Sequence, residues 1–165
     1  MVKFIHAADA HLGITYAGVG KSQKEIAREL KQAAFDAFER VIDTAIEEEV
    51  DALVLAGDLL DSSRTFVKEK LFLQSQLNRL APFGIPVIVA LGNHDAGSAY
   101  VSGEHIYTLG SAVETIEVET RNGERVAFSG FSYEVPVVAT RKVQEYPAKS
   151  ANCDIHIGVL HGELT

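Results

Sequence analysis

A single cysteine, Cys153, in 165 residues removes two kinds of architecture at once. No intramolecular disulfide can form and no thiolate cluster can hold zinc, so any metal site must use oxygen and imidazole ligands. The shortage also fits a reducing cytoplasm. Basic residues are scarce, 15 Lys and Arg against 23 Asp and Glu, and the net charge of −8 counts against a free-standing nucleic-acid binder, because nonspecific phosphate affinity comes mainly from cations. A local basic patch or bound cations would reverse that. No apolar run approaches the roughly 18 to 20 residues that span a bilayer, and no basic-then-apolar leader opens the chain. The expectation is a soluble, cytoplasmic protein without a membrane partner. With no low-complexity tract, repeat or Pro-rich linker, one domain is the default, and a hydrophobic fraction of 47% is enough for a substantial core.

The apolar segments have two periods. Val2 to Ala8 predicts a buried strand followed by a loop from Asp9 to Gly13. From Ser22 to about Val50, Ile26, Leu30, Ala34, Phe38, Val41 and Ala45 recur every three or four positions, which predicts an amphipathic helix, with Ser22 and Glu25 as a capping box. Ala52 to Ala56 reads as a strand buried on both faces and ends at Gly57-Asp58. A second helix from about Thr65 to Leu80 is closed by Pro82 and Gly84, and Phe66, Leu71 and Leu77 are expected in its core rather than as a base-stacking platform. Ile85 to Leu91 is another strand, ending at Gly92-Asn93-His94-Asp95. This alternation implies βαβ units and a mostly parallel sheet. Val113 to Glu119 and Arg125 to Gly130 then alternate around Asn122-Gly123, a hairpin signal, and Asp154 to Leu160 is a last strand ending at His161-Gly162.

Four strands therefore end in polar residues of one chemical kind: Asp9 and His11, Asp58, Asn93 and His94, then His161. Loops at the carboxyl ends of strands in open α/β sheets converge on the ligand crevice, so these residues can meet in space. Taken singly, an Asp after a strand is usually a helix cap or turn former; taken together, the set is hard to explain that way. Carboxylate, amide and imidazole ligands without sulfur suit manganese, iron or zinc. A carboxylate such as Asp58 can bridge two ions, the geometry that clamps the attacking and leaving oxygens of a phosphoryl centre. His6, His105 and His156 match no ligand position and are assigned packing or surface roles, and Asp95 is expected to brace its own loop. "GVGKS", Gly18 to Ser22, is not a phosphate-binding loop, because Thr15 stands where the pattern needs a glycine.

The motifs "DAH", "GDLLD", "GNHD" and "LHG" together resemble those of the calcineurin-like metallophosphoesterases. Within them, "FIHAADAHLG", "AFERVIDTAIEEEVDALVLAGDLLDSSR" and "LGNHD" are most similar to the SbcD-type DNA-repair exonucleases, relatives of the meiotic-recombination nuclease. The resemblance implies an αββα sandwich with two central mixed β-sheets. It implies phosphodiester hydrolysis by a two-metal-activated water, with Mn2+ as the expected cation and Fe2+ or Zn2+ as alternatives. Asp9 and His11 would bind the first metal, Asp58 would bridge, and Asn93 and His161 would bind the second. His94 would protonate the leaving oxygen or stabilise the transition state, since an imidazole titrates near neutral pH, and Asp61 would orient His94. The family pattern continues to a G-H-x-H that this sequence lacks. The expectation is that residues 1–165 form the N-terminal portion of a longer nuclease, with its C-terminal part missing, and bind metal incompletely alone.

The resemblance further implies backbone-directed DNA binding, an SbcC-type ATPase partner and a homodimer. Lys21, Lys24, Arg28 and Arg64 are candidate phosphate contacts, with Lys31 and Lys68 nearby, although ordinary solvated helix positions explain them equally well. Two other readings stand beside the nuclease: a small-molecule or cyclic-nucleotide phosphodiesterase of the same superfamily, and a non-catalytic scaffold for an ATPase partner.

Overall fold

A computed structural model describes residues 1–14, 24–61, 67–96 and 101–162 of the chain. Four strands, β1 (Phe4–Ala7), β2 (Ala52–Ala56), β3 (Val87–Ala90) and β4 (Ile106–Thr108), form one sheet in that order, and every pairing in it is parallel. Helix α1 (Lys24–Glu47) joins β1 to β2 and helix α2 (Val67–Asn78) lies between β2 and β3. A second sheet contains β5 (Glu114–Glu119), β6 (Arg125–Gly130) and β7 (Ile155–Val159) in the order β5, β6, β7. It is mixed: β5 and β6 are antiparallel around the Asn122-Gly123 turn, while β7 runs parallel to β6.

Strand alternation splits the core into two layers. Leu53 and Leu55 of β2 and Val87 and Val89 of β3 point to the helices and pack with Phe38, Ile42, Leu73 and Leu77. Ala52, Val54 and Ala56, with Ile88 and Ala90, point the other way and meet Val126, Phe128 and Val159 of the second sheet. The central strands are thus buried on both faces, as their unbroken apolar runs predict. On the far face of the second sheet, the segment between β6 and β7 crosses over, with the Tyr146 ring lying against Gly158 and its hydroxyl donating to the Val159 carbonyl at 2.6 Å. A short 3-10 turn, Lys142–Glu145, is the helical structure described there.

Several expectations are corrected. Among the described residues the first sheet pairs in parallel only, and the mixed pairing lies in the second. β1 is not a buried strand: it pairs only with β2 among the described residues, and Phe4 is 40% exposed, because it lies at the sheet edge. Leu71 is exposed, not core, because α2 turns Leu73 and Leu77 inward, while Phe66 lies outside the described residues. β4 carries no sequence signal of its own, being three residues long with only Ile106 against the core. Ser22, and with it the expected capping box, lies outside the described residues, as does "GVGKS".

Candidate metal centre

The carboxyl ends of β1, β2 and β3 lie side by side, and their loops are laced together by backbone bonds. Asp9 N–H donates to Gly57 O at 3.0 Å, His11 N–H to Asp58 O at 2.9 Å and Leu12 N–H to Leu59 O at 2.9 Å. Asp9, His11 and Asp58 all adopt left-handed backbone conformations, with φ of 54°, 40° and 52°. Such conformations cost of order 1 kcal/mol or more each for non-glycine residues and collect at sites where the surroundings impose them. Here the lacing imposes them, and it turns the three side chains toward one point.

Asp95, fully buried, fixes the third loop. Its carboxylate accepts N–H bonds from Gly92 at 3.0 Å in its own loop and from Leu59 and Leu60 at 3.1 and 3.0 Å in the β2 loop. Asp95 therefore braces two loops, one more than the sequence suggests. The His94 N–H donates to Asp58 Oδ1 at 3.0 Å, which leaves Asp58 Oδ2 facing the crevice. Around that oxygen stand three imidazoles: His161 Nε2 at 3.4 Å, His11 Nε2 at 3.7 Å and His94 Nε2 at 4.0 Å. The His11 and His94 rings meet edge to face, centroids 5.2 Å apart.

His161 comes from the second sheet. Its Nδ1 sits 2.9 Å from the Ala56 carbonyl; a proton on Nδ1 donated there leaves the Nε2 lone pair directed into the cluster. Nε2 also lies 3.2 Å from Asn93 Oδ1. Two glycines permit this closeness. A Cβ at Gly57 would collide with the His161 ring, and one at Gly92 would collide with Asp58 Oδ1 and the Asp58 backbone.

The donor set fits divalent cations. One atom each from Asp9, Asp58 and His161 lie within 4.8 Å of one another, His11 Nε2 is 3.9 Å from Asp9 Oδ1, and Asn93 adjoins His161. Among the described residues no lysine or arginine pairs with Asp9 or Asp58, so two carboxylates converge without a protein cation between them. Hard oxygens with imidazole nitrogens are what manganese, iron or zinc select.

All five residues expected as metal ligands are thus brought together with His94, and Asp61 Oδ1 stands 3.9 Å from His94 Nδ1 on the far side of that ring. The expected phosphate contacts fare differently. Lys21, Arg64 and the Lys24 side chain lie outside the described residues, Arg28 is exposed on α1, and Lys31 is committed to Glu69 through a 2.7 Å bond. His156 hydrogen-bonds to Ser129 at 2.7 Å, and His105 is on the surface beside Glu104. Sequence reasoning missed Tyr133, whose ring meets His161 edge-on at 6.1 Å; no motif marks it.

The family model for Calcineurin-like phosphoesterase matches residues 2–165. The chain is 36% identical over 98% of its length to the "Uncharacterized metallophosphoesterase YhaO" of Bacillus subtilis (strain 168), of which it covers 41%. It is 32% identical over its whole length to the "DNA double-strand break repair protein Mre11" of Halobacterium salinarum, covering 40% of that protein. Over 58% of the chain it is 38% identical to the Haloferax volcanii protein of the same name, covering 20% of it. The chain thus spans about two fifths or less of these relatives.

Proposed function

Because the chain belongs to the calcineurin-like phosphoesterase family, we propose that it is part of a DNA-cutting phosphodiesterase of SbcD type, with residues 1–165 as an incomplete portion of its nuclease domain. The observation that carries this reading is the placement of Asp58 Oδ2 among the Nε2 atoms of His161, His11 and His94. DNA as substrate draws on the double-strand break repair relatives. The absence of thiolates around the site and the lone buried Cys153 suit a cytoplasmic setting. No described helix is long and apolar enough to cross a membrane.

Asp9, His11, Asp58, Asn93 and His161 would hold two divalent cations, manganese(II) in our reading, with Asp58 shared. When bound, such cations activate water as a nucleophile and offset charge on the phosphoryl oxygens. The chain's own groups do the rest. Asp58 holds the β3 loop through the His94 N–H while offering Oδ2. His94 carries a proton on Nε2 for the leaving oxygen, and Asp61, facing Nδ1, orients the ring as a positioning residue. The Ala56 carbonyl fixes the His161 tautomer.

Resemblance to the SbcD type also leads us to propose an SbcC-type ATPase partner and a homodimer. Ile26 and Leu30 on α1 and Val67 and Leu71 on α2 are exposed pairs at i, i+4 spacing, near the helix ends joined by the Lys31–Glu69 bridge. A self-associating face there would make sedimentation of the full-length protein sensitive to Leu71→Glu.

The test is calorimetric manganese titration of the full-length protein beside Asp58→Asn, followed by cleavage assays on linear duplex DNA and on bis(p-nitrophenyl) phosphate. Two sites lost together with Asp58, and DNA cleavage lost with them, support the nuclease. Cleavage of the small diester alone favours a small-molecule or cyclic-nucleotide phosphodiesterase, a reading that the net charge of −8 and the engagement of Lys31 keep in view. No metal binding leaves the scaffold.

A further inference from the structure

A cavity of about 450 Å³ opens beside His161, between the residues that follow β6 and the 3-10 turn that precedes β7. Its size falls in the range of small-ligand sites. Phe131 and Tyr133 from the segment after β6, Arg141, Lys142 and Val143 from the stretch around the 3-10 turn, and His161 line it. The cavity is therefore continuous with the candidate metal centre at one residue.

The two lining segments differ in chemistry and in how they are held. The aromatic segment is fixed: Tyr133 N–H donates to Leu91 O at 3.0 Å, Ser132 N–H to Gly110 O at 2.7 Å, and Ser132 Oγ accepts from Leu91 N–H at 2.9 Å. These bonds tie the segment to the end of β3, directly before Asn93. Phe131 is buried and backs Tyr133, ring centroids 5.5 Å apart, so the half-buried Tyr133 is the ring that a ligand would meet. In the other segment Lys142 is paired with Glu145 at 3.0 Å, whereas Arg141 forms no ion pair among the described residues. An ordered aromatic ring and a guanidinium lining one cavity that also includes His161 match the parts of a nucleotide: the ring offers a face to a base and the guanidinium offers paired donors to a phosphate.

Resting on the phosphodiesterase reading above, we infer that this cavity receives the nucleotide adjoining the phosphate held at the metal centre, with Tyr133 as the base platform and Arg141 as the contact to the next phosphate. Recognition here is of nucleoside plus phosphate rather than of phosphate alone. It requires no particular base, because every base has a π face.

Binding separates this inference from the catalytic reading. Thymidine 3′,5′-bisphosphate, which carries one phosphate for the metal centre and one for Arg141, and inorganic phosphate are titrated by calorimetry into the full-length protein in manganese buffer, with wild type, Tyr133→Leu and Arg141→Gln compared, and bis(p-nitrophenyl) phosphate hydrolysis is followed in parallel. The expected result is a nucleotide preference of about tenfold over phosphate in the wild type, largely lost in Tyr133→Leu and reduced in Arg141→Gln, in line with typical base stacking. Equal affinity for nucleotide and phosphate in the wild type, or a preference that survives both substitutions, overturns the cavity assignment whatever the diester assay shows. Absent diester hydrolysis with the nucleotide preference intact overturns the phosphodiesterase reading instead.

Discussion

The two sheets deliver their share of the crevice in opposite ways. At the end of the parallel sheet, three neighbouring loops carry Asp9, His11, Asp58, Asn93 and His94, and backbone bonds plus the Asp95 carboxylate hold loop to loop. The second sheet contributes one ring, His161, which reaches across the gap to the Ala56 carbonyl and rests on Gly57. The first arrangement is fixed by local hydrogen bonding and tolerates small shifts between layers. The second depends on how well the sheets pack. Charge, clamp and packing can therefore be broken one at a time.

Charge should matter most. In Asp58→Asn the Oδ1 acceptor for the His94 N–H is kept while the charge facing three imidazoles is removed. Manganese affinity of the full-length protein should fall roughly 100-fold or more, and phosphodiester cleavage further still, with the urea midpoint little changed. A variant that binds manganese like the wild type would remove Asp58 from the centre.

The clamp comes next. Asp95→Ala leaves three buried N–H groups without their acceptor, at about 1–3 kcal/mol for each orphaned group before relaxation. We expect a loss of about 3–5 kcal/mol in urea unfolding, with metal affinity falling too because the β2 and β3 loops part. A stability loss under about 1 kcal/mol would mean that water replaces the carboxylate readily.

Much of this difference between the sheets was legible in the sequence. The apolar runs Ala52–Ala56 and Ile85 to Leu91, each closing on glycine and polar residues, announced parallel strands with a crevice at their carboxyl ends, and Asn122-Gly123 announced the hairpin. The ligand candidates were legible for the same reason, since each follows a strand end. What could not be read were features set by position in three dimensions. β1 has the composition of a core strand but sits at an edge, and Leu71 follows a helical period but falls on the wrong side of α2. Tyr133 lies in a segment without periodicity, and its nearness to His161 comes from bonds to Leu91 and Gly110 that no local pattern encodes. The second role of Asp95, across loops, likewise depends on strand adjacency.

Packing is separated from charge by a matched pair. Val87→Ala and Val126→Ala each remove two methyl groups from buried positions, the first in the helix-facing layer and the second between the sheets. Each should cost about 2 kcal/mol of stability. Only Val126→Ala should also weaken manganese binding, by several-fold, because His161 rides on the second sheet. Equal metal affinities in the two variants would mean that the Ala56 carbonyl alone holds the ring.

The smallest effect tests the strap over the second sheet. Tyr146 donates its hydroxyl to the Val159 carbonyl, two residues before His161, and burial, with Tyr133 adding to it, pushes its pKa from 10.0 up to about 12. Tyr146→Phe should cost about 1 kcal/mol near neutral pH, the usual net worth of one such bond. The sign of the pH dependence follows from the raised value: the folded state favours the protonated phenol, so the contribution is fully present below pH 10.0 and is lost as pH rises toward about 12. The wild type and Tyr146→Phe should therefore differ in urea midpoint at pH 8 and converge as the phenol ionises. A gap that stays constant across that window would mean that the phenol ionises alike in the folded and unfolded chain, whereas no gap at pH 8 would mean that the hydroxyl adds nothing to the hold of the strap on β7.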